Sequence, residues 1–274
     1  WRKFANSLRM RILLRVLNVS ELNASSELAK MLNDPVTYPV FESNDDGAAV
    51  YISGVFPQEP PMIRPQDLTS YIVVSEFFVN NLLAWNDPRL PIFATQANNG
   101  GVRSYVGWPS GYAIVPSYAG SAPNQGIAIA PMSLSLMTYA ELEFIKSELA
   151  FKGIAGDDAQ GAYERGVKAA IEQWGASMPA DYLSNEEAAY DGTMERIMIQ
   201  KYYALFFCDY QQWYEFNRTG LPKIPSGAGV PTGNRMPKRF KYPAALQRTN
   251  LTNYQEAKRN MGGDDTSIRL IWQQ

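Results

Sequence analysis

Trp1, Phe4, Leu8, Ile12 and Val16 recur every three to four residues, and Met10, Leu14 and Leu17 form a second apolar stripe. That period predicts a helix over residues 1–19, and two stripes predict burial on more than one side. From about 20 to 70 the pattern breaks at Asn33-Asp34-Pro35, Asn44-Asp45-Asp46-Gly47, Pro57 and Pro60-Pro61, with one short strand predicted over 50–55. Asp67 or Thr69 is placed to cap a helix that runs to about Trp85 and holds Ile72, Phe77, Phe78 and Leu82.

The clearest local architecture follows Thr138-Tyr-Ala-Glu141, a capping-box signature in which the Thr hydroxyl accepts from the Glu amide while the Glu side chain reaches back. Leu142, Ile145 and Leu149 stripe one face of the helix it opens, and Gly153 supplies the stop. Asp157 or Asp158 caps a second helix carrying Tyr163, Val167, Ala170, Ile171 and Trp174 up to Gly175. The short connection predicts an antiparallel hairpin of about one tetratricopeptide period. Ala159, Ala162 and Ala170 allow close approach, and Gly161 and Gly166 inside the second helix, each costing about 1 kcal/mol relative to Ala, point to tight packing there. Residues 193–218 read as one more buried helix, with Tyr210, Trp213 and Tyr214 continuing it and Gly220 and Pro222 ending it. The remainder is Pro- and Gly-punctuated and reads as irregular.

Residues 86–131 differ in kind. Pro, Gly, Ser and Asn are interleaved with Tyr105, Trp108, Tyr112 and Tyr118. So long an irregular stretch is either functional or disordered, and the aromatics argue against disorder. It is expected to be ordered loop with short strands, lying across the surface.

Composition narrows the function classes. The 274 residues suffice for one large domain or two small ones, and 46% apolar with 19% charged residues can bury a sizeable core. A net charge of −2 gives no global field favouring nucleic acid or an anionic membrane. The one basic concentration, Arg2, Lys3, Arg9, Arg11 and Arg15, is expected to pair with acids such as Glu42, Asp45 and Asp46 rather than with an anionic partner. With no histidine and a single cysteine, the chain holds no Ser-His-Asp or Cys-His catalyst, no His-ligated metal and no internal disulfide. Cys208, beside Phe206 and Phe207, reads as a buried inert thiol. No apolar run reaches the ~20 residues that span a bilayer. The start at Trp1, without Met or a signal peptide, leads to the expectation that the natural polypeptide begins further upstream.

The ligand candidates are Tyr105, Trp108, Tyr112 and Tyr118, with Asn98, Asn99 and Arg103 near them in sequence. Sugars present apolar C–H faces that stack on aromatic rings, while amide and guanidinium groups take their hydroxyls. The alternative is that these rings anchor the loop to the helical body. Trp1, Trp174 and Trp213 sit on helical stripes and are expected in the core. Among the acids, Asp45/Asp46, Asp157/Asp158, Asp264/Asp265 and Glu141/Glu148 form pairs, as chance allows with 27 carboxylates. Asn44-Asp45-Asp46 has no EF-hand spacing, so no metal or cofactor is expected.

Several stretches resemble the SusD/RagB family, most closely its SusD-like branch. In order they are Trp1-Arg-Lys-Phe-Ala-Asn-Ser-Leu-Arg-Met-Arg, Asn86-Asp-Pro-Arg-Leu-Pro, and Met137-Thr-Tyr-Ala-Glu-Leu-Glu-Phe-Ile-Lys-Ser-Glu running into Gly153. Ala162-Tyr-Glu-Arg-Gly-Val-Lys-Ala-Ala-Ile-Glu-Gln-Trp-Gly175, Trp213-Tyr-Glu-Phe-Asn-Arg-Thr-Gly-Leu-Pro222 and Gly262-Gly-Asp-Asp follow. The resemblance implies a mainly α fold of the alpha-alpha superhelix type, with tetratricopeptide-like hairpins, long irregular loops forming the ligand face, and a few short strands. Residues 1–274 would then be a single SusD-like domain, lacking the N-terminal part that family members carry. It also implies a surface-exposed lipoprotein of a Bacteroidetes-type outer membrane that hands a glycan or peptide to a SusC-like TonB-dependent transporter and is not an enzyme. The family's lipid-bearing Cys is missing, so membrane attachment is expected only through an anchor outside this chain. Phe207-Cys-Asp-Tyr-Gln-Gln departs from the Gly/Asn-containing version the family implies, which leaves that turn open.

The leading expectation is therefore glycan binding for uptake, with oligopeptide binding as its variant. A two-carboxylate glycoside hydrolase is the rival enzyme, and it requires acids about 5–10 Å apart in a cleft, one with a raised pKa. A helical scaffold with no small ligand would bury the loop aromatics and leave no groove.

Overall fold

A computed structural model describes residues 1–60, 72–231, 233 and 236–273. In chain order its elements are α1 (Arg2–Arg15), α2 (Ala24–Asn33), β1 (Ala48–Ile52), α3 (Glu76–Ala84), α4 (Leu90–Phe93), β2 (Ala97–Asn99) and β3 (Val102–Ser104). Then come β4 (Met132–Met137), α5 (Tyr139–Phe151), α6 (Ala159–Glu172), α7 (Met194–Ala204), α8 (Gln211–Thr219), α9 (Leu246–Thr249) and α10 (Leu251–Asn260). β1 pairs antiparallel with β4 and β2 with β3, so strands only decorate a helical body.

α5 organises that body. Its N-cap forms as expected, with the Glu141 amide donating to Thr138 Oγ1 at 3.0 Å. The other half of the capping box does not form, because the Glu141 carboxylate turns away to the Arg11 guanidinium of α1. Leu142, Ile145 and Leu149 pack with Met10, Leu14, Leu28 and Met31 of α1 and α2. Ala140 and Phe144 on the other side join Tyr163, Val167 and Ile171 of α6, Ile197 and Tyr203 of α7, and Phe78 and Leu82 of α3.

A helix buried on both sides cannot leave its charges in water. Glu141, Glu143 and Glu148 are each almost wholly buried, and each points at a different neighbour. Glu141 takes Arg11 of α1, Glu143 takes Arg165 Nε of α6 at 2.7 Å, and Glu148 takes Arg218 of α8 at 2.6 and 2.7 Å. The three carboxylates thus key three helices onto one, because leaving any of them unpaired in the interior would cost several kcal/mol.

α5 and α6 form the expected antiparallel hairpin, since Ser147 bonds to Ala159 while Phe144 lies against Gly166 further along. A Cβ on Gly166 would sit 3.1 Å from the Phe144 ring, the close packing its position implied. Gly161 has a different reason: its Cβ would lie 2.0 Å from the carboxylate of Asp158, the N-cap that folds back to accept from the Gly161 amide.

Other expectations are corrected. α3 begins at Glu76, capped by Ser75, and Ile72 lies outside it; Asp67 and Thr69 fall outside the described residues. The helix expected over 193–218 is two helices, because Phe207 (φ 64°) and Asp209 (φ 50°) adopt left-handed backbone between them. The turn that departs from the Gly/Asn pattern is therefore built by residues that pay strain for it. The tail is less irregular than expected, since α10 gives it a ten-residue helix. Trp1 is 99% exposed, not in the core; Trp174 does pack on the core, edge-on to Phe93, whereas Trp213 is a partly exposed ring tied through Nε1 to the Pro237 carbonyl. Cys208 is buried, and burial pushes its thiol up to about 12, so it stays protonated.

Of the basic stretch, Lys3 pairs with Glu42 and Asp46, and Arg9 with Glu27. Asn44 donates to the Ala169 carbonyl and Asp46 accepts from the Glu42 amide, so these side chains serve the fold.

Candidate functional site

The loop region starts from a buried anchor. Asp87 accepts from Arg89 Nε at 2.9 Å, from Arg89 Nη2 at 2.6 Å and from the Tyr182 hydroxyl at 2.6 Å. Burial pushes the Asp87 carboxyl up, but the guanidinium and hydroxyl outweigh it and hold it below its ordinary value. The Asp87–Arg89 pair is thus a buried structural anchor closed to solvent, in which only Arg89 Nη1 is left without a hydrogen-bond partner.

From there the chain folds into a layer stitched by backbone bonds. Val74 N donates to Ser121 O at 2.8 Å, Ser121 N to Val106 O at 2.7 Å, Trp108 N to Val74 O at 3.0 Å and Glu76 N to Trp108 O at 2.8 Å. β2 and β3 form a hairpin in which Asn98 faces Arg103, turned by Gly100 and Gly101 with φ of 63° and 90°. Two successive positive φ values suit the right-handed twist of the strands, and only glycine reaches them without strain.

Glycines elsewhere let main chains touch. A Cβ on Gly107 would fall 2.4 Å from the Glu76 backbone, and one on Gly120 would fall 2.8 Å from Trp108 Nε1. A distant segment closes the layer: Gly227 N donates to Ser110 O at 2.9 Å and Gly229 N to Gly111 O at 2.8 Å. Cβ atoms there would lie within 2.3 Å of backbone oxygens.

On this layer Trp108, Tyr112 and Tyr118 come together. The Trp108 and Tyr112 rings meet edge to face at 5.7 Å, and Trp108 Nε1 donates to the Tyr118 carbonyl at 3.2 Å. Tyr112 and Tyr118 keep 41% and 39% of their surface exposed, with Ile114 and Val115 bare between them. The result is an open aromatic platform with an apolar lip.

The other predicted residues are placed differently. Tyr105 packs against the helical core, which matches the anchoring alternative. Asn99 clamps the loop, its amide donating to the Ala119 carbonyl and its oxygen accepting from the Ala119 amide. Asn98 accepts from the Gly101 amide within the hairpin turn, and Arg103 is exposed on β3. The contribution of 227–229 has no periodic signal in the sequence; its only trace there is the Ser-Gly-Ala-Gly at 226–229.

The displaced acids among the described residues share one direction. Glu148, Asp46, Asp264 and Asp265 are all held below their ordinary pKa, each against a cation or hydrogen-bond donor. Every displaced carboxylate among the described residues moves the same way, opposite to what a proton donor needs. No helix among them is long and apolar enough to cross a membrane.

Comparison with known proteins now adds the family. Residues 1–243 match the SusD-like profile described as starch-binding and associating with the outer membrane. The chain belongs to the SusD-like family. Solved SusD-like structures overlay closely on it: an outer-membrane protein of Bacteroides vulgatus described as involved in nutrient binding matches 100% of this chain at 27% identity and a TM-score of 0.84, with 67% of its own length covered. A chitin-binding protein matches 100% at 24% identity and 0.81, with 64% of its length covered. A chitin-binding SusD homologue of Flavobacterium johnsoniae matches 99% at 24% identity and 0.80, with 63% covered. The chain thus spans about two thirds of these SusD-like proteins. No curated protein sequence matches it.

Proposed function

We propose that this chain is the ligand-presenting part of a cell-surface glycan-binding lipoprotein of the outer membrane, which delivers its ligand to a SusC-like TonB-dependent transporter without cleaving it. The observation that carries this reading is the aromatic platform of Trp108, Tyr112 and Tyr118. Half-exposed rings held by backbone clamps suit the apolar face of a pyranose, because the rings lose little freedom on binding. The description of the family and the chitin-binding neighbours support the same ligand class and location. The family description, which names binding and no hydrolysis, supports binding as the activity.

An open platform implies moderate affinity, and moderate affinity permits hand-over, since each 1.4 kcal/mol of extra binding slows release about tenfold at fixed on-rate. The test is a binding screen of polysaccharides and oligopeptides, repeated with Trp108→Ala and Tyr112→Ala. Loss of one stacked ring is expected to weaken glycan binding by roughly 1–3 kcal/mol, about a fivefold to 140-fold change. Glycan binding that survives both substitutions would remove the platform from the mechanism. Binding of oligopeptides alone would replace the ligand class, and slow nanomolar release would contradict hand-over.

A further inference from the structure

On surface that shares no residue with the aromatic platform, the ends of α1, α5, α7 and α8 enclose a cleft of about 220 Å³. Arg15, Lys152 and Arg218 line it with Leu14, Leu17 and Leu221, and no carboxylate among the described residues does. The charges behind the wall do not balance. Arg218 bonds to Glu148 and Glu215, Lys201 to Glu215 and Lys152 to Glu148. Counting Arg15, four cations therefore face two carboxylates among the described residues, a surplus of two.

Helix ends absorb part of that surplus. The C-termini of α1, α5 and α8 each present roughly half a negative charge and the N-terminus of α7 roughly half a positive one, which leaves about one positive charge uncompensated. Arg15 is the one of these four cations with no carboxylate partner among the described residues. Its Nη2 donates to Gln211 Oε1 at 2.9 Å, and its guanidinium lies 4.7 Å above the Tyr214 ring and 5.8 Å from that of Trp272. It has no ion-pair partner among the described residues, and its Nε is buried without an acceptor. Arg15 lines the cleft and is held there by neutral groups, so a negative charge brought from outside would meet it unneutralised.

We infer that this cleft binds a single oxyanion group, a carboxylate, sulfate or phosphate, free or borne on a small apolar-faced molecule such as an acidic sugar. Lys152, one-third exposed at the cleft wall, supplies a second contact with the anion, while the three leucines receive the body that carries it.

The test is calorimetric titration of the full chain with sodium sulfate, sodium phosphate and sodium glucuronate at constant ionic strength, with glucose as the neutral control. A saturable site for at least one anion and none for glucose is expected. Arg15→Gln and Lys152→Gln are each expected to weaken it roughly tenfold or more, the loss of one charge-assisted hydrogen bond, while Trp108→Ala leaves it unchanged. Binding of glucuronate alone assigns the cleft to a sugar-borne carboxylate, and binding of sulfate or phosphate as well assigns it to the oxyanion itself. If Arg15→Gln fails to fold, Lys152→Gln decides. No saturable anion binding, or an affinity indifferent to Lys152, overturns the inference. Stabilisation by sulfate that never saturates is the general salting effect and counts as no binding.

Discussion

Gly107→Ala tests how the platform is held. The new Cβ would lie 2.4 Å from both N and Cα of Glu76 and 2.5 Å from the carbonyl carbon of Ser75, all main-chain atoms at the start of α3. No side chain can turn aside to make room, so the 106–108 segment must move away. That movement breaks the bonds from Glu76 N to Trp108 O (2.8 Å) and from Trp108 N to Val74 O (3.0 Å). At about 1 kcal/mol net for each bond, with up to 1 kcal/mol more for lost packing, the layer loses roughly 2–3 kcal/mol of protection against local opening. Hydrogen exchange reads this directly: the Trp108 and Glu76 amides should exchange roughly 30- to 140-fold faster, while amides in the α5–α6 hairpin keep their rates. Glycan affinity should fall in parallel, because Trp108 leaves its place beside Tyr112. Unchanged exchange at both amides would refute the claim that main-chain contact at Gly107 fixes the platform.

Three further outcomes are expected. Glu141→Gln leaves Arg11 charged and unpaired beside α5 and should cost about 3–5 kcal/mol in urea unfolding, whereas Arg11→Met with Glu141→Leu together should cost much less; equal losses would contradict the pairing argument. Asp209→Gly relieves left-handed backbone at an exposed residue and should stabilise by roughly 0.5–1 kcal/mol, read as a higher denaturation midpoint. For Glu148 and Glu215, burial alone would raise the carboxyl pKa, but Arg218 and Lys201 outweigh it and hold both below the ordinary range. Their stabilisation is therefore complete above the unfolded value near 4.3 and drains away as pH falls below it, so denaturation midpoints should drop between about pH 5 and pH 3; a flat profile there would contradict the assignment.

What the sequence revealed of the fold was what local chemistry writes. Thr138 and Asp158 cap their helices through bonds to residues three positions on, and both were legible for that reason. Phe207 and Asp209 hid the break between α7 and α8, because nothing in a non-glycine residue announces left-handed backbone. Trp1 sits on a good apolar stripe yet faces solvent, since periodicity marks a face without naming what covers it. At the candidate site, the interleaving of rings with Gly and Asn marked a stretch in which Trp108 and Tyr112 do meet. Which rings converge depended on Gly227 and Gly229 meeting Ser110 and Gly111 across more than a hundred residues, a pairing with no periodic signature. Tyr105 went to the core and Asn99 to a clamp by the same long-range logic.

The Arg11–Glu141 pair joins residues 130 positions apart, whereas the Ser147–Ala159 bond of the hairpin spans 12. Loop-closure entropy grows as (3/2)RT ln n, so closing the longer loop costs about 2 kcal/mol more. Loop closure alone therefore predicts an order of assembly in which α5 and α6 zip together first and α1 docks onto a finished surface. Substitutions between Phe144 and Gly166 should slow folding, while those at Arg11 should leave the folding rate alone and speed unfolding. The buried pair acts as a latch that closes last and opens first.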